Sequence, residues 1–402
     1  MLTLQFLEPN PYIYSYDLQD VRNKLQSALD ILPVTHVLIG WDIPVNFLEA
    51  CKKITEQYSI KLLRWHPLFT LRDTDVIQNN FVINAWDKPI PGFKNLPEFT
   101  FVCPNNKLIV EYLYKEIITI IENDIYDGFF LDRIRFPSPS EDPFWNLGCF
   151  CENCLQSAEV NNINIQLVKK FIKNAYNSQD DIFIYLSYLM NNVNLDSDKL
   201  ELQEFKKYLD YRTRIVIDGV KVISDLVHNF NLEVGLDAFS FSLTYMVGQD
   251  LSRLSQLADW TKVMSYTHAI GPAGLPYEIS NLLKFLTKKY HFAEKKALEL
   301  LEKIFDVQLP KTISSLIENG LSSDILYTEI KKAIKSTNKP ILAGLEMVDI
   351  PHITKIDEFT LEKDILAILA AQPSGISISW DLFYIPVSRL YLLRKIMDGG
   401  YS

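Results

Sequence analysis

Eight short apolar segments alternate with helix-like stretches along this chain of 402 residues. Within most of these segments the apolar residues run continuously, and each segment ends in polar or aromatic residues. Continuous apolar strands separated by helices predict a parallel sheet that is buried on both faces. The predicted strands are 12–16, 36–41, 61–66, 128–134, 232–238, 260–266, 341–346 and 376–381.

Helical patterns fill the intervals between the predicted strands. Apolar residues recur at three- and four-residue spacing in stretches 27–32, 47–57, 108–122, 205–230, 282–289 and 361–370. Eight strand–helix units that close on themselves form a (β/α)8 TIM barrel of the α/β class. A doubly wound open sheet is the alternative, and it is disfavoured because no G-x-G-x-x-G motif follows the first predicted strand.

Two intervals are longer than the connections of a plain barrel. We expect a Cys-rich and helical insertion at about 137–204 and a helical excursion at about 285–338, both in βα loops, where they shape the substrate cleft. No repeat, low-complexity tract or Gly/Ser linker interrupts the chain. The sequence therefore predicts a single TIM-barrel domain over residues 1–402 with long helical insertions.

The composition restricts the partners and the compartment. Hydrophobic residues make up 48% of the chain, which is enough for a large core, and the net charge of −10 argues against nucleic acid or anionic membrane as a partner. The first residues do not read as a signal peptide, and no apolar run reaches membrane-spanning length. We expect a soluble cytoplasmic protein.

Residues at the ends of the predicted strands converge on one mouth if the barrel is right, and acids and tryptophans dominate them. Glycoside chemistry needs one carboxyl group that protonates the leaving oxygen and a second that attacks the anomeric carbon or activates water. Aromatic rings stack on sugar faces. The predicted catalytic residues are Asp132, Asp237 and Glu346, and the predicted substrate-binding residues are Trp41, Arg64, His66, Arg133, Tyr266, His268, Trp380 and Asp381.

Each predicted acid has a structural alternative, since an Asp at a strand end often caps a helix or pairs with an arginine. Asp132 would be the nucleophile or an ionised stabiliser, held anionic by Arg133 or Arg135. Either Asp237 or Glu346 would be the general acid, with Asp381 in reserve. His268 is as suited to hydrogen bonding with substrate as to acid–base work.

Three cysteines follow the fourth predicted strand with C-x-C-x-x-C spacing. Tetrahedral zinc takes four ligands, and Cys103 is the best fourth partner for Cys149, Cys151 and Cys154. Four thiolates leave no open position, so this zinc would be structural. Cys51 lies in a helical pattern and reads as a core residue. The alternatives are a radical-type iron–sulfur cluster, which needs different spacing, and three thiols without metal.

The run DGFFLDRIRFPS at 127–138 resembles the FDYIRFP-type strand-four motif of a group of bacterial TIM-barrel glycoside hydrolases. Later segments, GLDAFSFSL, ADWTKVMSYTHAIGPAGLP and GISISWDLFYIP, resemble later strand motifs of the same group. Asp132, Asp237 and Glu346 also stand on strands four, five and seven, the strands that carry the acids of α-amylase-type barrels. The resemblance implies a barrel that hydrolyses glycosidic bonds.

The cysteine arrangement is similar to the zinc site of family 42 β-galactosidases, with one Cys before the fourth strand and C-x-C-x-x-C after it. The resemblance implies zinc on Cys103, Cys149, Cys151 and Cys154. The chain departs from that family because no Asn-Glu pair ends the fourth strand. A β-galactosidase is therefore not predicted.

The sequence predicts a glycoside hydrolase acting on an oligosaccharide or glycoconjugate. The alternative is a barrel that binds a saccharide without cleaving it. This alternative would be favoured if an arginine held Asp132 in a bidentate ion pair and no second acid lay within reach. A zinc hydrolase is disfavoured because six scattered histidines form no H-x-H motif.

Overall fold

The computed structural model describes residues 1–10, 12–70, 76, 80–96, 99–192, 198–354 and 356–399. Eight parallel strands form a closed barrel in chain order, which confirms the predicted TIM barrel. The strands are β1 (Leu2–Phe6), β2 (His36–Ile39), β3 (Lys61–Pro67), β4 (Gly128–Asp132), β5 (Glu233–Phe239), β6 (Trp260–Met264), β7 (Ile341–Glu346) and β8 (Gly375–Ser379).

Fourteen α-helices lie in the described part of the chain. They are α1 (Leu18–Ile31), α2 (Val45–Gln57), α3 (Lys107–Ile121), α4 (Glu152–Val160), α5 (Ile165–Asn177), α6 (Ile182–Leu189), α7 (Leu200–Asn229), α8 (Leu251–Leu254), α9 (Leu275–Tyr290), α10 (Glu294–Phe305), α11 (Ile313–Asn319), α12 (Ser323–Ser336), α13 (Glu358–Ala371) and α14 (Val387–Met397). None of the described helices is long and apolar enough to cross a bilayer.

The predicted first strand at 12–16 is wrong. That aromatic run contains a short 3-10 turn, Ile13–Ser15, and its Tyr12 and Tyr14 side chains are 71% and 74% exposed. The first strand is β1, in which Thr3 and Gln5 interrupt the apolar pattern. Both polar side chains are buried and bond to other buried groups, Thr3 Oγ1 to Ser377 Oγ at 2.8 Å. Sequence alone therefore hid a strand whose polar residues face the barrel interior.

Large apolar side chains fill part of the barrel interior. Phe130 of β4 stacks on Trp260 of β6 with ring centroids 5.5 Å apart. The indole of Trp260 fits because β5 carries glycine opposite it: a Cβ on Gly235 would lie 2.3 Å from the ring. The interior cluster comprises Leu38, Trp41, Leu63, Trp65, Phe130, Trp260 and Leu342.

Two excursions extend the βα connections and pack against each other. The first, between β4 and β5, carries α4 to α6, and the second, between β6 and β7, carries α9 to α11. Phe144 lies 5.9 Å from Phe285 across their junction, and Tyr290 Oη donates a hydrogen bond to Ala175 O at 3.0 Å. Helix α12 returns to the barrel, where it packs on α13 and β7.

Candidate active site and thiolate cluster

Three acidic side chains form one electrostatic site at the carboxyl ends of the strands. Asp132 ends β4, Asp237 lies in β5, and Glu8 follows β1. The negative charge of Asp132 raises the pKa of both Glu8 and Asp237, although burial is the largest cause in each case. The charge of Asp132 thus acts on both other carboxyl groups, and all three groups lie at or just beyond the carboxyl-terminal half of their strands.

Both carboxylate oxygens of Asp132 accept hydrogen bonds. Oδ2 accepts from the indole Nε1 of Trp65 at 3.0 Å, and Oδ1 accepts from the backbone N–H of Arg133. No Lys or Arg within the described ranges forms an ion pair with Asp132. These two donors fix the orientation of the carboxylate without locking it in an arginine clamp.

Asp237 forms a buried ion pair with Lys262, its register partner on β6. Lys262 Nζ lies 2.9 Å from Asp237 Oδ2 and donates a second hydrogen bond to Gln5 Oε1 at 2.9 Å. Burial raises the pKa of Asp237 to about 7, while the positive charge of Lys262 acts in the opposite direction. Burial alone would lower the pKa of Lys262, but Asp237 and Tyr266 raise it.

Two polar atoms of this group have no hydrogen-bond partner among the described residues. They are Asp237 Oδ1 and Gln5 Nε2, and both are buried. Buried polar atoms in folded proteins nearly always have a partner in the protein, a water molecule or a ligand. The interior of the mouth therefore offers one carboxylate oxygen and one amide N–H to a bound molecule.

The carboxyl group of Glu8 has a strongly raised pKa. Burial and the charges of Asp381 and Asp132 raise its pKa to about 8, against the effects of Arg133 and Lys262. A carboxyl group with that pKa keeps its proton at neutral pH. The residue is only partly buried, so part of Glu8 remains accessible to solvent.

Asp381 and Glu346 are held by the backbone of neighbouring loops. Asp381 accepts hydrogen bonds from the N–H groups of Leu7 and Phe383 at 3.0 Å and of Glu8 at 3.1 Å. Burial raises its pKa to about 6. Glu346 Oε2 accepts from the N–H groups of two loop residues at 3.2 Å, and Oε1 accepts from Thr354 Oγ1. Burial raises the pKa of Glu346 as well.

Aromatic and cationic side chains surround the acids. The Arg133 guanidinium lies 5.2 Å from the centre of the Trp41 ring and donates a hydrogen bond to Thr70 Oγ1 at 3.0 Å. Tyr266 and Trp380 lie with ring centroids 5.6 Å apart, and Trp380 is half-buried. The structure thus brings four of the predicted substrate-binding residues, Trp41, Arg133, Tyr266 and Trp380, to the region of the mouth.

Arg64 and His66 lie elsewhere, on the outer face of β3. Arg64 contacts the Tyr126 ring at 5.7 Å, and His66 packs edge-on against Phe129 and lies 4.0 Å from Glu116 of α3. Side chains alternate along a strand, so Trp65 points into the barrel and its two neighbours point out.

His268 pairs with a helix instead of facing the three acids. Its Nε2 lies 2.8 Å from Asp364 Oδ2 of α13, and Asp364 also accepts from Ser323 Oγ at 2.6 Å. Burial alone would lower the pKa of His268, but the hydrogen bond and the charge of Asp364 raise it. His268 therefore ties the loop after β6 to α13.

The four predicted cysteine ligands come together. The Sγ atoms of Cys103, Cys149, Cys151 and Cys154 all lie within 4.8 Å of one another. A zinc ion with four bonds of about 2.3 Å places its sulfur ligands roughly 3.8 Å apart, so the cluster is compatible with a thiolate metal site. Cys51 lies apart, buried in α2.

Sequence analysis missed Glu8, Lys262 and Gln5. Glu8 follows β1 by two residues, but the strand itself was assigned to 12–16, so no strand end was sought there. Lys262 stands inside WTKVM, where a lysine in an apolar strand is a signal, because a buried amine needs a partner. Gln5 gives the same signal in LTLQF.

Comparisons with known proteins bear on the fold. The glycoside hydrolase domain of PgaB (BpsB) from Bordetella bronchiseptica is similar, with a TM-score of 0.55, 10% identity and 98% of each chain covered. A class V chitinase from Pseudomonas fluorescens Pf-5 gives a TM-score of 0.48 at 9% identity over 98% of this chain and 99% of that chain. No family model and no curated protein sequence matches this chain. Fold and mouth together define a (β/α)8 barrel with acids and aromatic residues at the carboxyl ends of its strands.

Proposed function

We propose that this protein is a glycoside hydrolase that acts on an oligosaccharide or glycoconjugate. The observation that carries the proposal is the pairing of Asp132, oriented by two N–H donors, with Glu8, whose pKa is raised to about 8. Hydrolysis of a glycosidic bond needs two carboxyl groups in different protonation states. The similarity of the fold to a glycoside hydrolase domain agrees with this function.

Asp132 would act as the carboxylate nucleophile or as an ionised group that stabilises the positive charge of the transition state. Glu8 would donate its proton to the leaving oxygen, and Asp237, with a pKa raised to about 7, is the other candidate for this step. Glu346, also predicted from the sequence, has both oxygens engaged by loop residues and fits the step less well.

Sugar rings would bind between the aromatic side chains of the mouth. Trp380, which is half-buried, offers a ring face, whereas Trp41 is buried and would support Arg133 from below. Tyr266 and Arg133 would contribute polar groups. The unpartnered atoms Asp237 Oδ1 and Gln5 Nε2 would bind hydroxyl groups of the sugar nearest the acids. Asp381 would contribute by holding the backbone of Glu8.

The four-cysteine cluster would hold a structural zinc ion. Cys103 precedes α3, and the other three ligands surround the start of α4, so the ion would fasten the first excursion to the barrel. Four thiolates close the coordination shell, and zinc would take no part in the chemistry. Thiols that hold zinc stay reduced in the cytoplasm, the location that we expect.

A saccharide-binding barrel without catalysis is the second candidate. The Lys262–Asp237 ion pair favours it, because an ionised Asp237 cannot donate a proton. The absence of an arginine clamp on Asp132 in the described part of the chain favours the enzyme.

Hydrolysis of aryl α- and β-glycosides and of longer oligosaccharides tests the proposal. We expect the wild-type protein to release products and Asp132→Asn to release almost none. Asp225→Asn, which removes an exposed acid paired with Lys221 on α7, serves as the matched control and should retain activity. A fully active Asp132→Asn protein would contradict the proposal, and binding of oligosaccharides by a wild-type protein that cleaves none would support the second candidate.

A further inference from the structure

A cavity lies at the junction of the two excursions, and its lining includes none of the acids of the mouth. Its volume is about 460 Å³, within the size range of small-ligand sites. Residues of the loop after β4, of α5 and of α9 line it, so both excursions contribute. The lining residues are Glu141, Asp142, Tyr176, Asn281, Lys284, Phe285, Lys288 and Lys289.

Positive charge concentrates here in a chain whose net charge is −10. Three lysines line the cavity, and two of them, Lys284 and Lys288, are exposed and form no ion pair with any other described residue. Of the two acids in the lining, Asp142 uses Oδ1 to accept from the N–H groups of Phe144 and Trp145. The N–H groups of Phe144 and Trp145 are thus occupied by Asp142 and are not available to a ligand, whereas the ammonium groups of Lys284 and Lys288 are available.

The second acid of the lining is engaged in the same way. Glu141 Oε1 accepts the hydroxyl hydrogen of Tyr277 at 2.7 Å. Both acids therefore anchor protein groups, while two of the three cations have no partner of their own. Neutral donors leave both carboxylates charged, so three lysines and two carboxylates give the lining a net charge of +1. The two lysines without an ion pair among the described residues are the groups that favour an anion.

An aromatic surface adjoins the lysines. Lys289 Nζ lies 3.5 Å from the centre of the Tyr176 ring, and Tyr176 meets Trp86 edge-on at 5.5 Å. Trp86 stacks on Trp145 at 5.4 Å, and Trp145 remains 38% exposed. Tyr176 and Phe285 of the lining give the cavity aromatic surface beside its ammonium groups, which suits a ligand that has both an apolar face and a negative charge.

We propose that this cavity binds an acidic sugar unit, a uronate or a sulfated sugar, of the glycan on which the protein acts. The inference rests on the proposed function, and it adds the substrate class: an anionic glycan. Glu141 and Asp142 of the lining belong to the loop that follows Asp132 in the chain, so one loop contributes to both the mouth and the cavity. A uronate and a sulfated sugar have in common a negatively charged group on a sugar ring.

Calorimetric titration tests the proposal with three probes: oligogalacturonate, which carries carboxylates, a chondroitin sulfate oligosaccharide, and a neutral chito-oligosaccharide. The variant is Lys284→Gln/Lys288→Gln. The matched control, Lys295→Gln/Lys335→Gln, removes two exposed lysines of α10 and α12 that lie outside the cavity lining. We expect the variant to weaken binding of an acidic probe roughly fivefold to tenfold, since each exposed ion pair contributes up to about 1 kcal/mol.

The control should bind all three probes as the wild-type protein does, and the variant should leave binding of the neutral probe unchanged. A response to oligogalacturonate alone would identify the anion as a carboxylate, and a response to chondroitin sulfate alone would identify it as a sulfate. Failure of the wild-type protein to bind either acidic probe, or an equal loss in the control, would overturn the inference.

Repeating the titration with Asp132→Asn separates this inference from the proposed function. Binding that depends on Lys284 and Lys288 should persist in that variant, because Asp132 lies in the mouth. Lysine-dependent binding by a protein that hydrolyses nothing would refute the proposed function alone. Hydrolysis without lysine-dependent binding would refute the cavity's role alone.

Discussion

The two sides of the barrel mouth use the same residue type for different purposes. On the side of β4 and β5, Asp132 has two hydrogen-bond donors and Asp237 has an oxygen with no partner in the described part of the chain. On the side of β7 and β8, Glu346 and Asp381 each accept three hydrogen bonds, most of them from loop backbone. The first pair thus keeps more of its hydrogen-bonding capacity for a bound molecule, whereas the second pair holds the loops around the mouth.

The difference follows from how the loops on each side are held. The long loop after β4 ends at the thiolate cluster, and the carboxylate of its own strand, Asp132, binds a single backbone N–H of the loop, that of Arg133. The loops after β6 and β8 have no such cluster among the described residues, and strand-end acids bind their N–H groups instead. The strand-end acids of this barrel therefore differ in how much loop backbone they bind: one N–H group for Asp132, two for Glu346 and three for Asp381.

The largest effect should come from Asp132→Asn. We expect kcat to fall about 10³-fold or more, because the variant lacks the carboxylate that attacks or stabilises the anomeric carbon. The variant should still fold, with a modest fall of the unfolding midpoint, because the amide nitrogen of asparagine cannot accept one of the two hydrogen bonds that Asp132 accepts. Activity on the preferred glycoside and urea unfolding measure the two quantities. A large loss of stability with activity retained would place Asp132 among the structural acids.

Removal of the metal should give the next largest effect. A strong chelator should lower the free energy of unfolding by about 4 kcal/mol, the stabilisation expected of a ligand present at a thousand times its dissociation constant. Cys151→Ser should lose the metal, and Cys51→Ser, which changes a buried thiol of α2, should retain it. Metal content by elemental analysis and urea unfolding check this. Unchanged stability after complete metal removal would contradict the role of the cluster as a loop fastener.

Asp381→Ala should act mainly on stability. Three backbone N–H groups would lose their acceptor, and we expect the free energy of unfolding to fall by about 3 kcal/mol. Asp357→Ala, which removes a hydrogen-bonded cap at the exposed start of α13, should cost about 1 kcal/mol and serves as the comparison. Urea unfolding measures both. A loss of activity without a loss of stability would indicate that Asp381 takes part in the reaction and does not only hold the loops around the mouth.

Much of the fold could be predicted from the sequence because seven strands carry mostly apolar residues and pair in parallel between helices. The cysteine cluster could be predicted too, since the C-x-C-x-x-C spacing is typical of a metal site and is visible in the sequence. β1 could not, because Thr3 and Gln5 are buried by hydrogen bonds inside the barrel rather than by apolar contact. Missing β1 also hid Glu8.

The division of the acids between the two sides also lay beyond the sequence. Glu346 and Asp237 follow the same Gly-Leu-acid pattern. One accepts hydrogen bonds from a loop eight residues away in the chain and from another strand's loop, and the other pairs with Lys262. Arg64 and His66 show a related limit of prediction from sequence. A shift of one residue in the strand register moves every side chain to the opposite face, and the sequence alone did not show which face these two residues occupy.

The pH dependence should show which carboxyl group is the acid. A proton donor must be protonated, so kcat/KM should fall as the pH rises through its pKa. We expect the fall between about pH 7 and pH 8, because burial raises the pKa of Asp237 to about 7 and that of Glu8 to about 8. The variant identifies the donor. Glu8→Gln should abolish the alkaline limb together with most of the activity. An alkaline limb near pH 7 in a Glu8→Gln protein that stays active would assign the proton to Asp237.

The pH dependence of the free energy of unfolding should report the protonation of Glu8 independently of catalysis. The pKa of Glu8 is raised from 4.5 to about 8 on folding, so the unfolded chain releases a proton that the folded protein keeps. The contribution of Glu8 to stability is therefore fully present below pH 4.5 and is lost as the pH rises through 8. Urea unfolding at pH 5 and pH 9 should show a smaller difference for Glu8→Gln than for the wild-type protein. Equal differences would mean that Glu8 is ionised in the folded protein and cannot be the proton donor at neutral pH.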